Sequence, residues 1–411
     1  MADARPVRVV VAGGGIAAVE LLLALRSVAR DAVRATVVSP RPSLHLRPES
    51  VSEPFTQASR HYDLQALTTA LGAELVTGAV RAVKPGEKVV DLGERELPYD
   101  ELVLAPGART EAAVAHATTF TAEHADDLHW TVRELEDGTV RHVVFVAPPG
   151  SYWTLPLYEL ALMSARRAAG MDAEGGAVTV VTHESAPLEV FRGAGSAAVA
   201  SLLEDAGVRV LTGRTVASRE SHALVLHGDE RLPADRVVAL PRLYGPPIQG
   251  LPLDEHGFVR VDPSFAVEGV ADVHAIGDGA AYPLKQGGLA TQQADAVATV
   301  IARRAGLDVP ELAFAGRLRA TLWTGEAPLY LSGRVEGGEI VDTQVSHRSP
   351  WWPAQKVAGA RLAPFLADVD ELGLEQAVAR IPAGVADPEA EHRILASEGD
   401  PGVELLGGDE D

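Results

Sequence analysis

The three glycines at positions 13–15 constrain this chain more than any other feature. They follow Arg8–Ala12 (RVVVA), a β-branched run that reads as a buried strand, and precede an apolar helical pattern from Ile16 to about Arg26. A second apolar run, Ala35–Ser39 (ATVVS), completes a βαβ unit. Within it, Gly13-Gly14-Gly15-Ile16-Ala17-Ala18 fits G-x-G-x-x-G/A. The first glycine permits the tight turn, the second lets a pyrophosphate approach the backbone, and a small third residue lets helix and strand pack closely. The helix N-terminus adds N–H groups and the positive end of its dipole. The unit reads as a dinucleotide site.

The rest of the chain repeats the theme. Residues 40–62 are Pro-rich and irregular, long enough for a functional loop over a ligand. Glu74–Val83, Lys88–Leu92 and Glu96–Leu97 read as a small antiparallel meander, and Leu102–Leu104 as a buried strand running into Ala105-Pro106-Gly107-Ala108. A second α/β set follows, with strands at His142–Ala147, Ala177–Thr182, Val208–Leu211 and Arg236–Leu240 and helices at Pro156–Arg167 and Ser196–Ala206. Val273–Ile276 returns to a buried strand, followed by Gly277-Asp278-Gly279 and a helix from about Leu289 to Ala305. Pro328–Val345 suits a hairpin, and Trp351–Leu366 reads as an amphipathic helix.

Composition sets the outer limits. With 411 residues the chain exceeds one ordinary core. The net charge of −21 opposes nucleic acid and anionic lipid surfaces, so small molecules or redox proteins are the expected partners, and a homodimer is open. The cysteine count of 0 excludes disulfides, a thiolate nucleophile, iron–sulfur clusters and persulfide chemistry on protein sulfur. Thirteen histidines show no ligand spacing, so no metal site is expected. No apolar run is long enough to span a bilayer, and Glu20 with the glycines interrupts the one N-terminal stretch that imitates a signal peptide. The expected location is cytoplasmic.

Three strings now combine. VVVAGGGIAAVE, the strand end LVLAPGA, and VHAIGDGA before a helix resemble the three FAD signatures of the pyridine-nucleotide-disulfide oxidoreductase superfamily. Pro106 stands where a threonine is usual. Within the superfamily the chain looks most like the branch of sulfide:quinone oxidoreductase, flavocytochrome c sulfide dehydrogenase and type II NADH dehydrogenase. Leu46-Arg47-Pro48, Val181-Thr182-His183-Glu184, Lys285-Gln286-Gly287-Gly288 and Trp352-Pro353-Ala354-Gln355-Lys356 carry that likeness.

The resemblance implies an α/β fold of two Rossmann-like dinucleotide-binding domains plus a smaller C-terminal α+β region. The FAD domain would be discontinuous, at 1–135 and 250–320. A degenerate NAD(P)-binding-like domain would occupy 136–249, a C-terminal interface domain 321–385, and an acidic flexible tail 386–411. FAD would be held by Gly13, Gly15, Ile16, Ala17, Ala18, Ser39, Pro40, Arg41, Arg47, Pro48, Val80, Ala105, Pro106, Gly107, Gly277 and Asp278. Lys285, Gln286, Gly288 and Leu289 would complete that set, with the Gly288 and Leu289 N–H groups facing the flavin pyrimidine edge. Ser39 replaces the usual ribose-binding acid; it and Arg41 either contact the ribose and a phosphate or simply solvate the loop. Lys285 and Lys356 either add positive charge near the ring or are surface cations.

The second domain departs from a nicotinamide pattern. Its first strand runs into Pro148-Pro149-Gly150-Ser151-Tyr152-Trp153 instead of a second glycine fingerprint, and prolines lack the N–H groups a pyrophosphate needs. Pro156-Leu157-Tyr158-Glu159 matches a Pro-x-Tyr-Glu string of the sulfide-oxidising enzymes, with Trp153 near the position of their cysteine. Lys356, Trp153 and Tyr152 are the candidates for catalysis. The two aromatics form either a stacking wall for a planar partner such as a quinone or a plug in a lost nicotinamide pocket. The expected function is an FAD-dependent oxidoreductase passing electrons from an unidentified donor to a quinone-like or protein acceptor. The alternatives are an NAD(P)H-dependent flavin reductase with an unusual nicotinamide site and a non-catalytic redox sensor.

Overall fold

The computed structural model describes residues 5–55, 57–169, 177–336 and 339–385. The β-branched runs seed two parallel five-stranded sheets. In the first, the strand order is Val273–Ala275, Glu101–Leu104, Val7–Ala12, Val33–Ser39 and Glu74–Thr77. Alternate residues of Val7–Ala12 face opposite ways. Val9 and Val11 join a core with the helices Ile16–Val28 and Gly287–Arg304, whereas Val10 and Ala12 join one with Val90, Leu102 and Ile248. A sheet covered on both faces requires such uninterrupted apolar strands. Leu21, Leu22, Leu23 and Leu25 are all buried, each contributing about 1.5–3 kcal/mol of apolar burial.

From Val7–Ala12 the chain moves outward in one direction, through Val33–Ser39 to Glu74–Thr77, and then returns to Glu101–Leu104 on the other side. The resulting crevice opens beyond the carboxyl ends of Val7–Ala12 and Glu101–Leu104, where ligands bind in open α/β sheets. Glu74–Thr77 belongs to this sheet, paired parallel to Val33–Ser39. The expected meander is therefore shorter, formed by Ala82–Lys84, Val89–Asp91 and Glu96–Pro98.

The second sheet has the order Thr118–Thr119, Arg236–Ala239, His142–Ala147, Ala177–Thr182 and Arg209–Leu211. Thr118–Thr119 already pairs here, so the chain changes sheets before residue 118 and not at 135. Leu128, Val132 and Leu135 of the helix Asp127–Glu136 also pack in this domain's core. A two-stranded antiparallel ribbon, Arg109–Glu111 with Arg242–Tyr244, joins the outgoing and returning connections.

The C-terminal region opens with a three-stranded antiparallel sheet, Arg317–Leu322, Leu329–Glu336 and Glu339–Ser346. Its apolar side shares one core with the second-domain helix Leu155–Ala169, through Leu318, Ala320, Leu322, Leu329 and Leu331. The expected helix at Trp351–Leu366 is confined to Leu362–Leu372, and residues 351–361 are irregular. The acidic 386–411 segment lies outside the described residues. Among the described residues no helix is long and apolar enough to cross a membrane.

Candidate functional site

The glycine motifs meet at the crevice of the first sheet, and each glycine answers a different demand. A Cβ on Gly13, whose φ is +139°, would stand 1.9 Å from the Ala105 carbonyl oxygen. One on Gly14 would stand 2.4 Å from Leu64 and 2.7 Å from Ser39 Oγ. These two are glycines because the protein itself leaves no room. Gly15, which begins the helix Ile16–Val28, has nothing within 4 Å, and neither has Gly107. Both therefore border open space, and at Gly15 that space faces a helix N-terminus, which is what a dinucleotide phosphate needs.

The other motifs close around the same helix start. A Cβ on Gly277 would lie 3.3 Å from Ala17 Cβ, and one on Gly279 3.1 Å from the Pro106 ring. Gly277 N–H donates to Gln293 Oε1 at 2.7 Å, which ties the turn to the helix Gly287–Arg304. Gly287 lies against Ile16 and Val357, bringing the C-terminal segment to the site. Asp278 is half-buried, and burial pushes its carboxyl above the usual range while Lys285 opposes the shift. The open face at Gly15 and Gly107, beside a carboxyl that polar partners would relieve, fits the FAD that the motifs imply. A separate cavity of about 470 Å³, between Arg26, Arg30, Gly72 and Pro382, contains none of the motif residues.

Several expected contacts are redirected. Ser39 Oγ donates to the Arg41 carbonyl at 3.0 Å and accepts the Arg41 N–H at 3.1 Å, so a local turn engages it. Arg41 and Arg47 both bind Glu123, at 2.9 and 2.8 Å. Pro40 is exposed, Pro48 begins a 3-10 segment with Arg47, and Val80 packs half-buried against the core around Val10 and Val76. The Leu289 N–H, expected to face the flavin, instead donates to Gln286 Oε1 at 2.8 Å. Gln286 caps its helix and also donates to the Arg319 carbonyl, because a helix start in the interior needs an acceptor.

Neither lysine is a surface cation. Lys285 is 5% exposed; its ammonium lies 3.8 Å from the Phe258 ring centroid and 5.2 Å from that of Tyr152. Burial lowers its pKa to about 8, against the opposing pull of Asp278 and Asp254. Lys356 forms a buried ion pair with Glu159 and donates to the Thr321 carbonyl at 3.0 Å, with its ammonium 4.4 Å from the Trp323 ring centroid. Burial pushes the Glu159 carboxyl up and the Lys356 ammonium down, and their contact opposes both shifts. Trp323 N–H donates to Glu159 Oε1 at 2.8 Å, whereas Glu159 Oε2 and Thr321 Oγ1 are buried without a partner.

The three residues singled out for chemistry touch different neighbours. Tyr152 packs edge-on against Phe258 at 5.4 Å, and Trp153 edge-on against Phe191 at 6.2 Å. Trp351 is buried against Tyr330, and Trp352 is exposed. Glu159 carries no site role in the sequence reading. Its signals are the Pro-x-Tyr-Glu string that it closes and its place as a lone acid in the apolar helical run Leu155–Met163.

The second-domain turn is occupied by its own side chains. Ser151 N–H and Oγ both donate to the Pro148 carbonyl, at 3.2 and 2.8 Å. Glu184, two positions past the strand Ala177–Thr182 and so the displaced candidate there for holding a ribose, accepts from Tyr158 at 2.5 Å and from Thr154, Thr182 and the Glu189 N–H at 3.0 Å each. Its oxygens are thus engaged inside the protein.

Comparison with known proteins agrees with this arrangement. The fold is similar to that of the sulfide:quinone oxidoreductase from the hyperthermophilic bacterium Aquifex aeolicus, with a TM-score of 0.78 and 20% identity, covering 97% of this chain and 96% of that one. It is also similar to NDH2 from Plasmodium falciparum in complex with RYL-552 (TM-score 0.65, 12% identity, 92% and 97% covered). Putidaredoxin reductase in its covalent complex with putidaredoxin is a third (0.62, 21%, 82% and 86%). At these identities the likeness is one of fold. No curated protein matches the sequence. The pyridine nucleotide-disulphide oxidoreductase family model matches residues 7–298, most of the chain, and with the glycine crevice already in place it assigns the protein to that family as an FAD-dependent oxidoreductase.

Proposed function

We propose that this oxidoreductase takes electrons from a donor other than NAD(P)H and delivers them to a quinone-like acceptor, without cysteine persulfide chemistry. The observation that carries the reading is Glu184. Its carboxylate oxygens accept from Thr154, Tyr158, Thr182 and Glu189, so no ribose is served there, and Pro148 and Pro149 bring no N–H to a pyrophosphate. Asp254 and Glu255 near Tyr152 add negative charge where an anionic dinucleotide would pass. The fold neighbour named for a quinone reaction supports the acceptor class.

FAD, when bound, supplies the electron transfer. Gly15, Ile16 and Ala17 would direct helix N–H groups to its phosphates, and Asp278 would take ribityl hydroxyls. Gly107 and Gly277 keep the backbone close. Lys285 neutralises Asp278 from one side. Lys356 and Glu159 hold a proton between them in the interior, on the segment whose Val357 packs on Gly287, and would give it up to an acceptor as that acceptor is reduced. Their pKa values are pushed toward each other, which lowers the cost of moving that proton. Tyr152 and Phe258 flank the Lys285 ammonium.

Anaerobic stopped-flow absorbance tests this. Mixing the photoreduced protein with a soluble benzoquinone should restore the oxidised flavin spectrum rapidly. NADH and NADPH should bleach the oxidised flavin no faster than background. Rapid bleaching by either nucleotide would overturn the reading, as would a reduced flavin that benzoquinone leaves untouched.

A further inference from the structure

The first helix has a second charged feature, unrelated to its phosphate-facing end. Glu20 is fully buried one turn beyond the glycine motif, in a run otherwise made of Val and Leu. Its two carboxylate oxygens accept the N–H groups of Arg361 and Leu362, at 3.0 and 2.7 Å. Those groups begin the helix Leu362–Leu372, whose own cap residue brings no side-chain acceptor. Glu20 therefore caps a helix more than 300 positions away in sequence.

Arg361 completes the arrangement. Its guanidinium binds Asp295 of the helix Gly287–Arg304, donates to Ser27 Oγ at 3.2 Å, and donates to the Gly384 carbonyl at 3.0 Å. Gly359 lets the segment approach, since a Cβ there would meet Glu20 Oε2 and Thr291, each at 2.9 Å. Burial and the nearby Asp295 push the Glu20 carboxyl well above its usual range, so the cluster stores a costly pair of acids around one cation. Glu20 and Asp295 lie on the two helices whose N-terminal glycines frame the crevice. Arg361 lies five positions after Lys356 on the irregular segment that reaches Glu159.

We propose that Glu20, acting through Arg361, is a positioning residue that couples FAD occupancy to the placement of Lys356 on Glu159. The coupling rests on the proposed role of Lys356 only for its redox consequence; the mechanical link stands on the hydrogen bonds. FAD steadies the start of the first helix, which steadies Glu20, which holds the Lys356 segment. By reciprocity, loosening the segment weakens FAD binding by the same factor.

Two readouts test it, FAD affinity and tryptic cleavage with and without FAD. Glu20→Ala should weaken FAD affinity by at least about five-fold, the low end of ordinary coupling. Glu20→Gln, which keeps one acceptor and the fold, should give a smaller loss in the same direction. Removing FAD from the wild-type protein should speed tryptic cleavage after Lys356 and Arg361. Wild-type FAD affinity in both variants, or cleavage indifferent to FAD, would overturn the coupling. The flavin midpoint potential then separates the two claims. If Lys356→Met leaves it unchanged, the redox role of Lys356 falls, while affinity and cleavage still decide the coupling. If Lys356→Met and Glu20→Gln each shift it, the shifts should be less than additive in the double variant. Fully additive shifts would show that Glu20 does not act through Lys356.

Discussion

Removing the Lys356 ammonium should make stability depend on pH with a slope set by one buried carboxyl. In Lys356→Met, Glu159 keeps only the Trp323 N–H as a partner and has no exposed surface. Leaving a buried charge unpaired costs about 3–5 kcal/mol. The carboxyl avoids part of that by taking up a proton, at a cost of about 1.4 kcal/mol for each pH unit above its ordinary value. Its folded-state pKa is then raised above the unfolded one. The stability it contributes is complete below the unfolded value, 4.5, and is lost as pH rises toward the folded one. Between about pH 6 and about pH 8, the variant should lose about 3 kcal/mol relative to wild type, provided Glu159 stays protonated across that range. Urea unfolding of the FAD-loaded protein, followed by circular dichroism and flavin fluorescence, reads this directly. Glu159→Gln/Lys356→Met should abolish the extra slope. A loss of stability equal at both pH values would refute the reasoning, because it would mean that Glu159 is not left buried alone.

Two further predictions concern the crevice. Gly15→Ala, which meets no protein atom, should fold with unchanged thermal stability in the FAD-free state but load FAD poorly, whereas Gly13→Ala should destabilise the FAD-free protein itself; absorbance ratios and melting curves distinguish them. Lys285→Met should stabilise the FAD-free protein most at neutral pH. A lysine depressed from 10.5 to about 8 costs up to about 3 kcal/mol below the folded value, and that cost disappears as pH climbs toward 10.5. The urea midpoints of variant and wild type should therefore differ at neutral pH and converge at alkaline pH.

The sequence made the crevice legible because each glycine motif carries its own local signal. Strand, turn and helix lie within a few residues, and folding only has to bring Gly13, Ala105 and Gly277 together. Pairing partners were less visible. Glu74–Thr77 alternates as an antiparallel strand would, yet it joins a parallel sheet, since alternation does not say which neighbour a strand finds. The apolar periodicity at Trp351–Leu366 suggested a longer helix than forms. Pro353 supplies no N–H, Gly359 approaches Glu20, and the helix begins only where that carboxylate accepts the Arg361 and Leu362 N–H groups. Glu20 and Glu159 both read as interruptions of apolar runs. Their partners, Arg361 and Lys356, lie too far along the chain for any local pattern to join them.

Equilibrium dialysis of NADH and NADPH against the FAD-loaded protein tests, without relying on turnover, whether the second domain has filled its own nucleotide site. With Glu184 engaged by Tyr158, Thr154 and Thr182, and the turn closed on Pro148, neither nucleotide should bind saturably at concentrations up to about 1 mM, the weak end of ordinary cofactor affinity. Saturable binding of either in the micromolar range would contradict it.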